Sequence, residues 1–140
     1  MPFLTDEDYL SLIKTEIRTV VTDGSGTVQG AAELAAQELM EGYLRQRYNT
    51  TAVFSATGAN RNPLIVMYMC DIALYEMHSR INPRQMPDIR VKRYDDAVAW
   101  LKAVQKGTVD PKLPLKDAES DGQPVSKNVF GGKEKFESDW

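Results

Sequence analysis

The 140-residue chain contains one cysteine, Cys70, and one histidine, His78. A lone cysteine makes no intramolecular disulfide, and in an apolar run it reads as a small buried hydrophobe suited to a reducing, intracellular compartment. With so few ligating or basic side chains, metal clusters and cysteine or serine triads lack parts, so no catalytic, metal or cofactor site is expected. A basic surplus is missing too. The 17 lysines and arginines stand against 20 acids, for a formal charge of −3, which removes the bulk attraction of a general nucleic-acid binder. No long apolar run occurs: the greasiest stretch, residues 64–77, holds Asp71 and Glu76 and falls short of the ~20 residues that span a bilayer. The opening residues carry Asp6, Glu7 and Asp8 where a signal peptide has basic side chains, and no apolar segment follows. Neither a membrane span nor a targeting segment is expected.

What is present suits one small domain. The length allows a single core and not two, and 42% hydrophobic with 26% charged residues places the chain among globular proteins. Thr5 followed by Asp8 forms an acidic capping box, and Leu10, Ile13, Ile17 and Val20 or Val21 then recur at helical spacing. Asp23-Gly24-Ser25-Gly26 ends this first helix and Thr27 caps a second over residues 28–48. The second helix carries Val28, Ala31 or Ala32, Ala35, Leu39, Tyr43 and Gln46 on one face, and its alanines allow close approach of another helix. Residues 55–62 are turn-rich and polar, a surface loop with a short extended piece at Ala52-Val53-Phe54. Pro63 opens a third helix, apolar almost all round. Such a helix is either central to the domain or shared with a neighbouring subunit as well. Asn82-Pro83 and Met86-Pro87 bend the chain, and a fourth helix over 88–106 places Tyr94, Ala97 or Val98, Leu101 and Val104 on one face, with Gly107 as terminator. The expectation is an all-α fold: a small four-helix domain over residues 1–107 with an extended C-terminal arm over 108–140. The arm lacks any sustained period, and its sparse apolar residues Val125, Val129, Phe130, Phe136 and Trp140 read as anchors for a partner surface.

The motifs that invite chemistry mostly fail. Aligning Gly26 with the glycine of a calcium-binding loop places Val21 and Ala32 at positions that need an acid and a bidentate glutamate. A phosphate-cradling loop fails because no strand precedes it. Asp71 is the costliest residue, a carboxylate in an apolar helix, and is expected to pair with Arg45, Arg47 or Arg93 as a buried structural charge rather than to catalyse. Arg80, Arg84, Arg90, Lys92 and Arg93 form a basic stretch, read as a solvated face or as a contact for nucleic acid or an acidic partner. Ala35, Leu39 and Trp100 are candidate subunit-interface positions; Trp100 falls off its helix's apolar stripe.

The order of these features resembles the Mu-like phage and prophage family of small head–tail joining proteins. The collinear set comprises Asp23-Gly24-Ser25-Gly26-Thr27-Val28, then Glu41-Gly42-Tyr43-Leu44-Arg45-Gln46-Arg47-Tyr48, Pro63-Leu64 and Cys70-Asp71-Ile72-Ala73-Leu74-Tyr75. Arg93-Tyr94-Asp95-Asp96-Ala97-Val98-Ala99-Trp100-Leu101 with Gly107 follows, and Asn128-Val129-Phe130 is similar to a short tail motif of such proteins. The resemblance implies a structural component of the virion neck, made in the host cytoplasm. It would form a homo-oligomeric ring of about a dozen copies between the portal protein and a tail or stopper protein. Genomic DNA would pass through the lumen without sequence-specific contact, and no cofactor, membrane or enzymatic activity is implied. The chain departs from that pattern in a longer loop over 52–62 and a longer C-terminal arm. The competing expectation is a small helical nucleic-acid- or partner-binding protein that uses the basic stretch.

Overall fold

The computed structural model describes residues 3–22, 26–81 and 86–116. Among them the regular structure is all α: α1 (Asp6–Leu10), α2 (Thr15–Thr22), α3 (Gly26–Leu44), α4 (Thr50–Ser55), α5 (Pro63–Ile81) and α6 (Asp88–Lys106), with a 3-10 turn at Gly58–Asn60. The three 19-residue helices α3, α5 and α6 pack on one another, while α1 and α2 lie against α5. The ring contacts between α5 and α6 run in opposite directions along the two helices: Tyr75 meets Tyr94, and Tyr68, two turns earlier on α5, meets Trp100, later on α6. The pair is therefore antiparallel.

The all-α expectation holds, with two differences in how the helices divide. The first expected helix is two. The capping box is present, Asp8 Oδ2 accepting from the Thr5 amide at 2.7 Å, but the amides of Leu12 and Ile13 both turn onto the Tyr9 carbonyl at 2.9 and 3.0 Å and close α1. Tyr9 is fully buried, so the chain is fixed at that point and turns before resuming as α2. The break leaves Leu10 and Ile17 outward, at 60% and 46% exposure, with Val21 buried. The expected extended piece at 52–54 is helical. Asn49 Oδ1 caps the Ala52 amide at 3.1 Å and starts α4, which buries Val53 and Phe54 and sets Phe54 edge-on to Phe3. Burial of two apolar side chains outweighs the strand preference of Thr50, Thr51 and Val53.

The inward face of α3 is Ala32, Ala36, Met40 and Leu44, a strict four-residue ridge of the kind that interdigitates with facing helices. The expected face is rotated off it: Val28, Leu39 and Tyr43 are half-buried on the flank, while Ala35 and Gln46 are exposed. Alanine at 31, 32, 35 and 36 fits either rotation, and the bulk of Met40 and Leu44 settles the choice. The Asn62 side chain caps α5 by accepting from the amides of Leu64 and Ile65 at 2.9 and 3.2 Å, with Pro63 in the first turn, where no amide is needed. Ile65, Met69, Cys70, Ile72, Ala73, Leu74 and Met77 are buried by this chain's own helices. The apolar character of α5 is thus explained by a central position in the domain, with Leu64 left 43% exposed. No helix among the described residues is long and apolar enough to cross a membrane.

Gly107 ends α6 in the left-handed region at φ +88°, where its amide and that of Thr108 return to the Val104 and Ala103 carbonyls. Beyond it the described residues, up to Lys116, stay on the domain. Leu113 is buried, Lys112 O accepts from the Asn62 side chain, Pro114 O accepts from the Asn49 amide, and the Lys116 amide donates to Arg47 O. A single antiparallel bridge pairs Tyr48 with Leu115, and the Tyr48 hydroxyl donates to Asp110 at 3.0 Å.

Candidate interaction surfaces

Asp71 is 1% exposed on α5, and α6 supplies its partners. Arg93 Nε donates to its Oδ1 at 2.7 Å and Arg90 Nη1 lies 3.9 Å from the same oxygen. Of the three expected partners Arg93 is the one used; Arg45 instead pairs with Glu41, one turn back on α3. Arg90 enters because its long side chain crosses beneath the N-terminal segment to donate to the Leu12 carbonyl at 3.2 Å, leaving Nη1 buried without a hydrogen-bond acceptor. Burial pushes the Asp71 carboxyl above its ordinary range against the pull of Arg93, and burial pulls Arg90 down. Two guanidiniums on one carboxylate, away from water, make a clamp between α5 and α6 rather than a reactive pair.

That clamp changes the basic stretch. Arg90 is buried, Arg93 is turned onto Asp71, and Lys92 pairs with Asp96 at 3.7 Å across one helical turn. Arg80 is exposed at the end of α5, and Arg84 lies outside the described residues. The four described side chains therefore do not present one continuous cationic surface, because α6 turns its arginines into the domain. His78 is buried with Nδ1 2.9 Å from the Leu74 carbonyl, a helix-internal contact. Burial pushes the Cys70 thiol up, away from reactivity. Among the described residues no group of three or more His, Cys, Asp and Glu side chains is placed to hold a metal.

Two polar anchors escaped the sequence reading. Arg61, in the long loop, donates to Asp8 at 2.6 and 3.1 Å and to the Phe3 carbonyl at 2.8 Å, tying the loop to the N-terminal segment. Tyr9 donates to Glu33 at 2.5 Å, with Gln29 on the same carboxylate oxygen and Arg18 over the ring. The signal available for the first was an arginine in an otherwise uncharged loop. The second had none, since Tyr9 and Glu33 lie 24 positions apart.

The interface candidates separate. Trp100 is half-buried against Tyr68, ring centroids 4.9 Å apart, on the α5–α6 seam. Leu39 is half-buried beside the core, whereas Ala35 is exposed. Ala35 lines an apolar notch of about 330 Å3 between the N-terminal half of α3 and the end of α5, with Val28, Ala31, Ala32 and Met77, and with Glu76 and Arg80 on the α5 side. A larger groove, about 520 Å3, runs between α1 and the long loop past Asp8, Leu12, Arg61 and Met67. The anchors Val125, Val129, Phe130, Phe136 and Trp140 lie outside the described residues.

A family model described as bacteriophage Mu, Gp36 matches residues 3–128, nearly the whole chain. The chain belongs to that family. No curated protein and no solved structure matches it. The match runs from Phe3, which packs on Phe54, through every helix of the domain and past Lys116 into the arm. A Mu Gp36 family member is a phage structural or morphogenesis protein.

Proposed function

We propose that this Gp36-family protein is a head–tail connector of the virion neck. Copies assemble into a ring of about a dozen subunits between the portal and a tail or stopper protein, and genomic DNA passes through the lumen without sequence-specific contact. The observation that carries this reading is the family match over residues 3–128. Two features support it. The arm starts from a fixed point, because residues 111–116 are held on the domain by Leu113, by main-chain bonds at Asn49 and Arg47 and by the Asn62 side chain. The apolar arm residues from Val125 onward then work as anchors on the portal, adding contact area at the cost of their ordering. The role is structural and not enzymatic: Asp8, Glu33 and Asp71 each answer to a partner inside the domain.

Electron microscopy of particles carrying a labelled copy of the chain tests this, together with imaging of the purified protein mixed with portal. Label and ring density at the neck are expected. Label confined to the capsid shell or the tail tip, with no ring on portal, overturns the proposal.

A further inference from the structure

Exposed cations gather at the end of the domain that the basic stretch does not reach. Arg47 follows α3, Lys102 and Lys106 lie one turn apart near the end of α6, and Lys112 and Lys116 stand in the segment paired with Tyr48 and Asn49; all five are exposed. Main-chain and side-chain contacts bring them together. The Lys116 amide donates to Arg47 O at 2.9 Å, and Lys112 O accepts from the Asn62 side chain at the start of α5. The Arg47 guanidinium lies against Gly107, next to Lys106, so closely that a methyl there would meet Nη2 at 3.1 Å. With packed helices ~9 Å apart and ~13 Å of extended chain from Lys112 to Lys116, the five charges fall within about 20 Å.

Among the described residues none of the five is in an ion pair, whereas Lys92 and Arg93 on the first half of α6 both are. Asp110, the acid of the same segment, accepts from the Tyr48 hydroxyl. The dipole at the end of α6 favours Lys102 and Lys106, but Lys112 and Lys116 lie outside any helix. A polar hollow of about 260 Å3 opens at the same place, between the ends of α3 and α6, lined by Arg47 with Tyr43, Gln46 and Gln105. Guanidinium, amide and hydroxyl groups there can donate hydrogen bonds beside the lysines.

We propose that this end of the domain binds the phosphate backbone of duplex DNA, with Arg47 and the hollow taking one phosphate and the four lysines its neighbours. The inference rests on the connector reading for the source of the duplex, the genome in the lumen. Lysines act as point charges without directional demand, and no helix presents more than two of these cations to a groove, so the contact is with the backbone and indifferent to sequence. An acidic protein surface fits less well, because the large apolar side chain exposed at this end is Leu115 alone, too little for a central anchor cluster. Asp117, Glu119 and Asp121 follow in the sequence and oppose the binding. One copy therefore holds DNA weakly, and a ring sums contacts that each break quickly, which suits a duplex that must slide.

The test is fluorescence anisotropy of two labelled duplexes of unrelated sequence, about 30 base pairs long, with the full chain at about 25–200 mM salt. Both should bind alike, with Kd near ~10 µM at about 50 mM salt and a slope of log K on log salt of about −4. Lys102→Gln with Lys106→Gln should weaken binding at least tenfold and make the slope shallower by about 2, and Arg47→Gln should make it shallower by about 1. Lys14→Gln with Lys92→Gln removes the same charge near the start of α6, where Arg90 bonds Leu12, and should change affinity by less than ~3-fold. Dichroism should show every variant folded as the parent. No binding at the lowest salt, equal losses in the two paired variants, a slope that the lysine changes leave alone, or a preference of over ~10-fold between the duplexes overturns the inference. Poly-glutamate bound as tightly as duplex also overturns it, in favour of an acidic protein partner. A neck ring formed by a chain without duplex affinity sinks this inference alone, while duplex affinity at the lysine end with label away from the neck sinks the connector reading alone.

Discussion

Replacing Asp71 by alanine should be the most damaging single change in the interior. The carboxylate is 2% exposed at its side chain and faces Arg90 and Arg93, themselves 7% and 30% exposed. Its removal leaves one guanidinium buried with no counter-charge and another half out of water, a loss of about 3–5 kcal/mol. Arg93→Ala should cost less, about 1.5–3 kcal/mol, because Arg90 still offsets the carboxylate when the Nε hydrogen bond is gone. The decisive comparison is the triple variant Asp71→Leu, Arg90→Met, Arg93→Met. It removes the desolvation cost along with the attraction and should unfold within ~1 kcal/mol of the parent or later. Urea unfolding followed by helical dichroism at pH 7 measures all three. The reasoning fails if Asp71→Ala loses under ~1 kcal/mol, or if the triple variant loses as much as the single one.

Asp8 gives the pH dependence. Burial alone would raise its carboxyl, but hydrogen bonds from Arg61 and the Thr5 backbone outweigh burial and hold it below the ordinary 3.8. A depressed carboxylate contributes stability that is present above that value and lost as pH falls through the lower folded-state value. The parent should lose stability as pH falls below the ordinary carboxylate value of 3.8, and Asp8→Asn should show a flatter profile there by acid titration. Glu33 has the opposite sign: burial raises it despite bonds from Tyr9 and Gln29, so its ionised form is disfavoured on folding. Glu33→Gln should hold or gain thermal stability at pH 7, while Tyr9→Phe, which strips a donor from the carboxylate, should cost about 1–2 kcal/mol. Gly107→Ala should cost about 1–2 kcal/mol in denaturant titrations, for the left-handed backbone at φ +88° and an Arg47 Nη2 atom 3.1 Å from the new methyl. A chain ending at residue 120 should keep its unfolding midpoint and fail to bind portal in a pull-down. One ending at 110 should also lose about 1.5–3 kcal/mol with the buried Leu113.

The long periodic elements were legible. Residues 64–77 and 88–106 announced themselves through apolar spacing and Pro/Gly punctuation, and the structure adds only four residues to the end of the first. Local signals misled where a distant contact decided. The α1–α2 break follows from Tyr9 being locked to Glu33, and α4 follows from Phe54 meeting Phe3; neither is visible in a window of ten residues. The rotation of α3 was ambiguous for a different reason, since alanine at four neighbouring positions carries too little hydrophobic contrast to mark a face. The site residues divided similarly. That Asp71 would need a cation follows from electrostatics, but which cation depends on how α6 lies against α5. A count of arginines on α6 therefore overstated its exposed positive charge.

The attachment of residues 112–116 has a mechanical consequence. On the connector reading, a pull on the arm would reach the fold first at the main-chain bonds of Arg47 and Asn49 and at the Asn62 side chain. These fasten the segment to Arg47 and Asn49 ahead of α4 and to Asn62 at the capped start of α5, so the load would meet them before it reached Gly107 and the end of α6. A subunit stretched between two larger bodies would in this way transmit force through its most central helix.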